Sequence, residues 1–345
     1  MKGRDILQKL NKNLLADTFS HIYIENSARD HENTKRILEK LEGKEIVYIN
    51  HYKDVFSRSN QNFVIQKQSP KLILAVKKDN LIYKGAEVCD DFGNENFYYT
   101  STMMNCLYDC EYCYLQGMYT SANIVVFVNI DDIFKEVEKL LKLHSVYLCI
   151  SYDTDMLALE HITNYTKLWI EFCRKHPNLK IELRTKSSNF NAIKEIAPLD
   201  NFILAWTLSP EGIIHKYENK TPNLELRLSS IKAALDKGWN VRLCFDPMLY
   251  IEGWEEKYAS LVKKIFCSIS GNDILDVSIG TFRVSKDYIK RMRKQRHDSI
   301  ILNYPFETIE TVSSYPAYLS DKMVKFLCGK VSGYVSKDKI YVRGE

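Results

Sequence analysis

The sequence predicts an α/β fold: a partial (β/α)6 barrel with an N-terminal extension and a short C-terminal α/β segment. Three observations predict it. Apolar β-type runs alternate with helical patterns through the middle of the chain; six such units pass without closing a barrel; and no repeat, low-complexity stretch or Pro/Gly linker interrupts them. Such alternation requires a parallel sheet, because each helix returns the chain to the end where the next strand begins. With 345 residues there is chain enough for one large domain or two ordinary ones, each with a full core.

The elements follow in order. "KEIVYIN" (44–50) and "PKLILAVKK" (70–78) read as strands of a smaller lobe, so residues 1–95 form an extension packed on the barrel. The barrel, 96–300, opens with strand "FYYTST". Helix "IDDIFKEVEKLLKLH" (130–144) is apolar at helical spacing and starts with acids that suit a helix N-terminus. Strand "SVYLCIS" (145–151), helix 160–176, strand "KIELRTKS" (180–187) and a short helix near 191–196 come next. Then come strand "FILAWTLS" (202–209), helix 224–238, strand "NVRLCFDPML" (240–249), helix 253–269, strand "ILDVSIGTF" (274–282) and a basic helix at 286–296. Residues 301–345 are the C-terminal segment. In such sheets the chemistry gathers at the C-terminal ends of the strands.

Composition narrows the class. Hydrophobic content of 45% and charged content of 27% suit a soluble globular protein. The start, "MKGRDILQKLNKNLLADTF", has no apolar run fit for a signal peptide, and no later run approaches a membrane span, so a cytoplasmic location is expected. Thiols there stay reduced, and the nine cysteines do not read as a disulfide framework. A net charge of +4 permits an anionic partner without arguing for a strong nucleic-acid binder. The 22 tyrosines suit base stacking or the core equally.

One stretch carries the chemistry. "CLYDCEYCYLQ" (106–116) spaces Cys106, Cys110 and Cys113 as CxxxCxxC, directly after the first barrel strand. Iron–sulfur cubanes take cysteine thiolates, normally four, so three leave one iron open to a chelating cosubstrate. A structural zinc site wants a fourth Cys or His, and three unrelated buried thiols are the remaining reading. Cys89, Cys173, Cys244, Cys267 and Cys328 are scattered, with no pair at ligand spacing for an auxiliary cluster. His161 begins a helix and reads as structural.

CxxxCxxC in this loop resembles the radical S-adenosylmethionine (SAM) superfamily, and the fold class becomes a partial barrel of the radical SAM type. "YCYLQ" (112–116), "FVNIDDIFKEVEK" (127–139), "EHIT" (160–163) and "EGWEEKY" (252–258) resemble the spore photoproduct lyase family in order and spacing. The similarity runs from "IYIENSA" (22–28) to about residue 305. The resemblance implies a 4Fe-4S cluster on Cys106, Cys110 and Cys113, with SAM as cosubstrate. It implies repair of a crosslinked thymine pair in UV-damaged DNA, through a deoxyadenosyl radical and a cysteine hydrogen donor. Cys149, which ends the second barrel strand, falls on the donor. Tyr112 and Tyr114 fall on the tyrosines that relay the radical. Lys186 falls near SAM, Thr207 and Ser209 offer hydroxyls in the same layer, and Asp153 or Asp155 could hold ribose hydroxyls. Between Cys149 and "EH" the loop is about three residues longer than the family pattern. An electron donor such as flavodoxin or ferredoxin is implied, and no membrane.

The C-terminal segment departs from the family, whose basic hairpin grips DNA. Residues 306–323 contain one lysine and three acids. "SKDYIKRMRKQRH" (285–297), with seven basic residues, is the candidate replacement, or an ordinary solvated face. Tyr315 and Tyr318 remain candidates for stacking on a base. Two other readings stay open: an enzyme of the same branch acting on a nucleotide, RNA or peptide, and a non-catalytic iron–sulfur or zinc protein.

Overall fold

The computed structural model describes residues 18–86 and 89–342. Residues 1–17, on which the reading of the chain's start rests, lie outside them. The chain opens with β1 (His21–Glu25), β2 (Glu45–Ile49) and β3 (Leu72–Ala75), with β1 pairing in parallel with both others. The run "LILA" of β3 is buried throughout, as a strand covered on both faces requires. An antiparallel pair follows, β4 (Tyr83–Lys84) and β5 (Phe97–Tyr99). Next come β6 (Met103–Met104), the cysteine loop with β7 (Asp109–Cys110), and β8 (Ile124–Phe127). β8 returns to the first lobe, pairing in parallel with β3 and antiparallel with β6. The resulting sheet, in the order β2-β1-β3-β8-β6, draws strands from both sides of residue 95. The expected extension and the start of the barrel are therefore interleaved in one sheet.

The main sheet takes its parallel strands in chain order. After α1 (Ile130–Leu141) come β9 (Val146–Cys149), α2 (Tyr165–Arg174), β10 (Leu179–Thr185) and β11 (Phe202–Thr207). The two-residue β12 (Glu218–Asn219) precedes α3 (Leu224–Asp236), β13 (Asn240–Met248), α4 (Trp254–Phe266) and β14 (Asp276–Thr281). β5, β9, β10, β11, β13 and β14 are the six expected strands, each parallel to the next. β15 (Arg283–Ser285) leads into the basic helix α5 (Lys286–Gln295), and β16 (Glu307–Ile309) with β17 (Val312–Ser314) forms a hairpin beside β15. After α6 (Ala317–Val331), β18 (Ile340–Val342) adds in parallel to β14.

The expected helix over 160–176 is two pieces. Asn164 sits at φ +56, a left-handed conformation that asparagine tolerates and that ends the first turn. The buried Glu160 carboxylate then accepts the N–H groups of Thr166 (2.7 Å) and Lys167 (3.2 Å) at the start of α2. Trp169 and Phe172 of α2 pack on Phe134 of α1, with ring centroids 4.8 and 4.3 Å apart.

Candidate active site

The cysteine loop is braced from every side by other segments. β7 pairs antiparallel with β12, so Glu218 stands opposite Cys110, and the Glu111 N–H donates to the Tyr217 carbonyl at 2.7 Å. Asn105, at φ +67, closes the loop's neck by donating to the carbonyls of Ser121 (2.6 Å) and Asn123 (2.8 Å). The Lys67 ammonium donates to the carbonyls of Cys106 and Tyr108. On the far side lies α5. Arg296 pairs with Asp109 and donates to the Gln116 side chain, and Arg291 donates to the Gly117 carbonyl at 3.1 Å. A Cβ on Gly117 would stand 2.6 Å from the Tyr288 backbone oxygen, so only glycine allows this approach.

Cys106, Cys110 and Cys113 are free thiols that border one small cavity with Phe63, Lys67 and Tyr108. Burial pushes the Cys106 thiol up to about 12 and also raises Cys110. The Tyr108 N–H points at the Cys106 sulfur, 3.4 Å away, as donors around cluster sulfurs do. Among the described residues, no three Cys, His, Asp or Glu groups are gathered for a single metal ion. The three thiols instead surround a volume, and Cys113 alone also faces a second cavity of about 510 Å³. An all-sulfur donor set of three, with its missing fourth side toward a large cavity, fits a cubane with one open iron.

Beyond Cys113 the cavity wall carries Tyr112, Tyr114, Tyr152, Asp153, Lys186 and Thr207. Tyr112 and Tyr114 flank the last cysteine. The Tyr112 hydroxyl donates to Glu218, and that of Tyr114 donates to the Tyr152 carbonyl. Lys186 follows β10, with its ammonium 5.0 Å from the Tyr112 ring centroid and 4.0 Å from a Glu218 oxygen. Glu218, invisible to motif reading, is the hub. It also accepts from Ser209 at 2.9 Å and from the fully buried Arg227. Burial disfavours its charge, but Lys186 and Arg227 outweigh that and hold its carboxyl below the usual range. Ser209 therefore serves this network and does not line the cavity, whereas Thr207 does.

The two aspartates of the lengthened loop separate. Asp153 lines the cavity, accepting from Ser101, and burial pushes its carboxyl up. Asp155 is occupied by Thr185 and the Lys186 N–H, both at 2.7 Å, and ties the loop to the end of β10. Cys149 ends β9 as expected but is 1% exposed, packed beneath the wall with Phe97, Tyr99, Cys89 and Tyr152. Also on the cavity wall, Asp246 pairs with Arg283 (2.7 Å) and Arg184 (3.6 Å). None of these charged residues lies in a recognisable motif. Their partners come from separate strand ends.

A curled parallel sheet with a three-thiol loop after its first strand defines a radical SAM protein. Residues 18–314 match the family model described as spore photoproduct lyase, and the chain belongs to that family. It is 24% identical over 238 residues to the spore photoproduct lyase of a Geobacillus species, covering 68% of this chain and 66% of that protein. With the Bacillus subtilis spore photoproduct lyase it shares 23% over 297 residues, 84% of this chain and 83% of that one. Spore photoproduct lyase complexed with dinucleoside spore photoproduct has the same fold: TM-score 0.81, 18% identity, 94% of this chain and 98% of that chain. A variant with bound AdoMet and the dinucleoside gives 0.80 at the same identity and coverage.

Proposed function

We propose that this protein is a radical SAM repair lyase that reverts spore photoproduct, the crosslinked thymine pair of UV-damaged DNA, to two thymines by carbon–carbon bond cleavage. The cavity that runs from Cys113 past Lys186 and Thr207 to the wall over Cys149 carries the reading. Cys106, Cys110 and Cys113 would hold a 4Fe-4S cluster, which with SAM and one electron from a flavodoxin or ferredoxin supplies a carbon-centred radical. Lys186 would pair with a carboxylate, charge to charge, and Thr207 and Asp153 would orient hydroxyls. Burial pushes the Cys149 thiol well above its ordinary value and keeps it as S–H, the form that can give up a hydrogen atom. That S–H bond breaks as the C–H bond of the product thymine forms. Tyr112 and Tyr114 would then pass a hydrogen to the sulfur, and a C–H bond of deoxyadenosine would replace it, so that the thiol is restored and the radical moves back toward SAM. Among the described residues no helix is long and apolar enough to cross a membrane, and we place the enzyme in the cytoplasm.

The test is anaerobic turnover of dinucleoside spore photoproduct with SAM and dithionite, followed by mass spectrometry. Restored thymidine is expected. Deoxyadenosine released without repair would overturn the substrate assignment and leave an enzyme of the same branch with another substrate.

A further inference from the structure

Helix α5 and the residue after it sort their basic side chains by type. The arginines bond to the protein. Arg291 donates to the Gly117 carbonyl (3.1 Å), Arg293 to the carbonyls of Leu302 (2.7 Å) and Tyr304 (2.8 Å), and Arg296 to the Gln116 side chain (2.8 Å). With Ile289 and Met292 buried, these bonds tie the helix to the cysteine loop. The lysines do the opposite: Lys286, Lys290 and Lys294 are all exposed. Spaced four apart, they share one face of the helix and span about 12 Å of its length, over which one strand of B-form DNA sets roughly three or four phosphates. Lys290 stands 3.7 Å from Asp287, but the two side chains are 60% and 75% exposed, and so open a pair holds weakly and can yield to a phosphate. The lysine face starts at the large cavity. Ser285 and Tyr288, on either side of Lys286, line its wall with Thr311 and Val312 of the β16–β17 hairpin, and the Lys286 N–H donates to the Thr311 carbonyl at 2.8 Å. On that hairpin Glu307 and Glu310 are exposed and repel phosphates, which makes α5 the favoured path of the two.

Resting on the repair-lyase reading, we propose that Lys286, Lys290 and Lys294 form a phosphate track that takes the backbone of the lesion-bearing DNA strand on one side of the crosslinked pair. A lysine ammonium on its flexible stem meets a phosphate as a point charge, whereas the planar arginine forks of the same helix serve fixed acceptors inside the protein. Phosphate contacts carry no sequence information, but they set register. Because the same helix is bonded to the cysteine loop, the track sets where the lesion lies relative to the three thiols.

The experiment measures binding of cluster-loaded protein to a short single strand carrying spore photoproduct, from about 50 to about 200 mM salt. Losing three contacts should flatten the slope of log affinity against log salt by about 2, so the Lys286→Gln/Lys290→Gln/Lys294→Gln variant should change across this range about 20-fold less than the parent. The corresponding triple change to arginine should keep the parent's slope, and a flattened slope there would overturn the inference. A charge-matched variant on and just after α1, Lys135→Gln/Lys139→Gln/Lys142→Gln, should stay within about 0.5 of the parent's slope. Equal slopes for the α5 and α1 variants would mean an ordinary solvated face and would overturn it too. With strands extended by about three nucleotides on one side of the lesion only, the α5 variant should weaken one polarity about tenfold and the other less than about threefold; equal weakening would overturn the one-sided path. The lyase reading fails separately, through repair of the phosphate-free dinucleoside by the parent protein, whereas the track is read from binding alone.

Discussion

Glu218 shows how much of a reaction site one side chain can organise. It binds Tyr112, Ser209 and Arg227, faces Lys186, and its backbone pairs with that of Cys110. Glu218→Gln should strand the positive charges of Arg227 and Lys186, at a cost of about 3–5 kcal/mol in chemical denaturation. Cys110→Ala should abolish cluster absorbance and SAM cleavage together. Cys149→Ala should leave SAM cleavage intact and divert the substrate to side products; clean conversion to thymine would disprove the donor role. That Cys106, Cys110 and Cys113 come together around one cavity was legible in the sequence because their spacing is local. Glu218 was not, because its partner Tyr112 lies 106 positions away and nothing local marks a carboxylate as buried.

Between residue and fold, the break at Asn164 carries a pH signature. Burial pushes Glu160 up to about 7 from a model-peptide value near 4.5, against the N–H groups of Thr166 and Lys167 that draw it down. The folded protein thus holds a proton that the unfolded chain releases. Its contribution is complete below about pH 4.5 and is lost as pH rises through about 7, on the order of 3 kcal/mol in all. Glu160→Gln should flatten that slope in denaturation curves recorded across this window and be more stable than the parent above it. Trp169, fully buried against Phe134 and Phe172, should cost about 3–5 kcal/mol when cut to alanine. The parallel strands were readable as continuous apolar runs, since both their faces are covered. The β16–β17 hairpin was not, because Glu307, Thr308 and Ile309 are all exposed and show no buried alternation.

At the scale of the whole molecule, the sequence order of the main sheet made the half-barrel predictable, while the interleaving of the first lobe did not show. β8 crosses back to β3 through a pairing of distant segments that no local pattern encodes. The basic helix α5 divides its charge, with Lys286, Lys290 and Lys294 exposed. Its charge suggested a grip on DNA or a solvated face, and Arg291 and Arg296 add a contact to the cysteine loop that the sequence did not suggest. Gly117→Ala should push α5 off that loop and lower the iron content retained after gel filtration, with the overall circular dichroism kept.

The bracing of that loop bears on how the enzyme matures. Its tethers to β12, Lys67, Asn123 and α5 are all bonds between protein groups. Small zinc modules fold only as they load, because their binding free energy is their folding free energy. Here the receptacle would be finished by the polypeptide first, and a cluster would arrive afterwards as cargo for a standing berth. Stripped protein should therefore keep a cooperative melt and accept a fresh cluster without passing through the unfolded state.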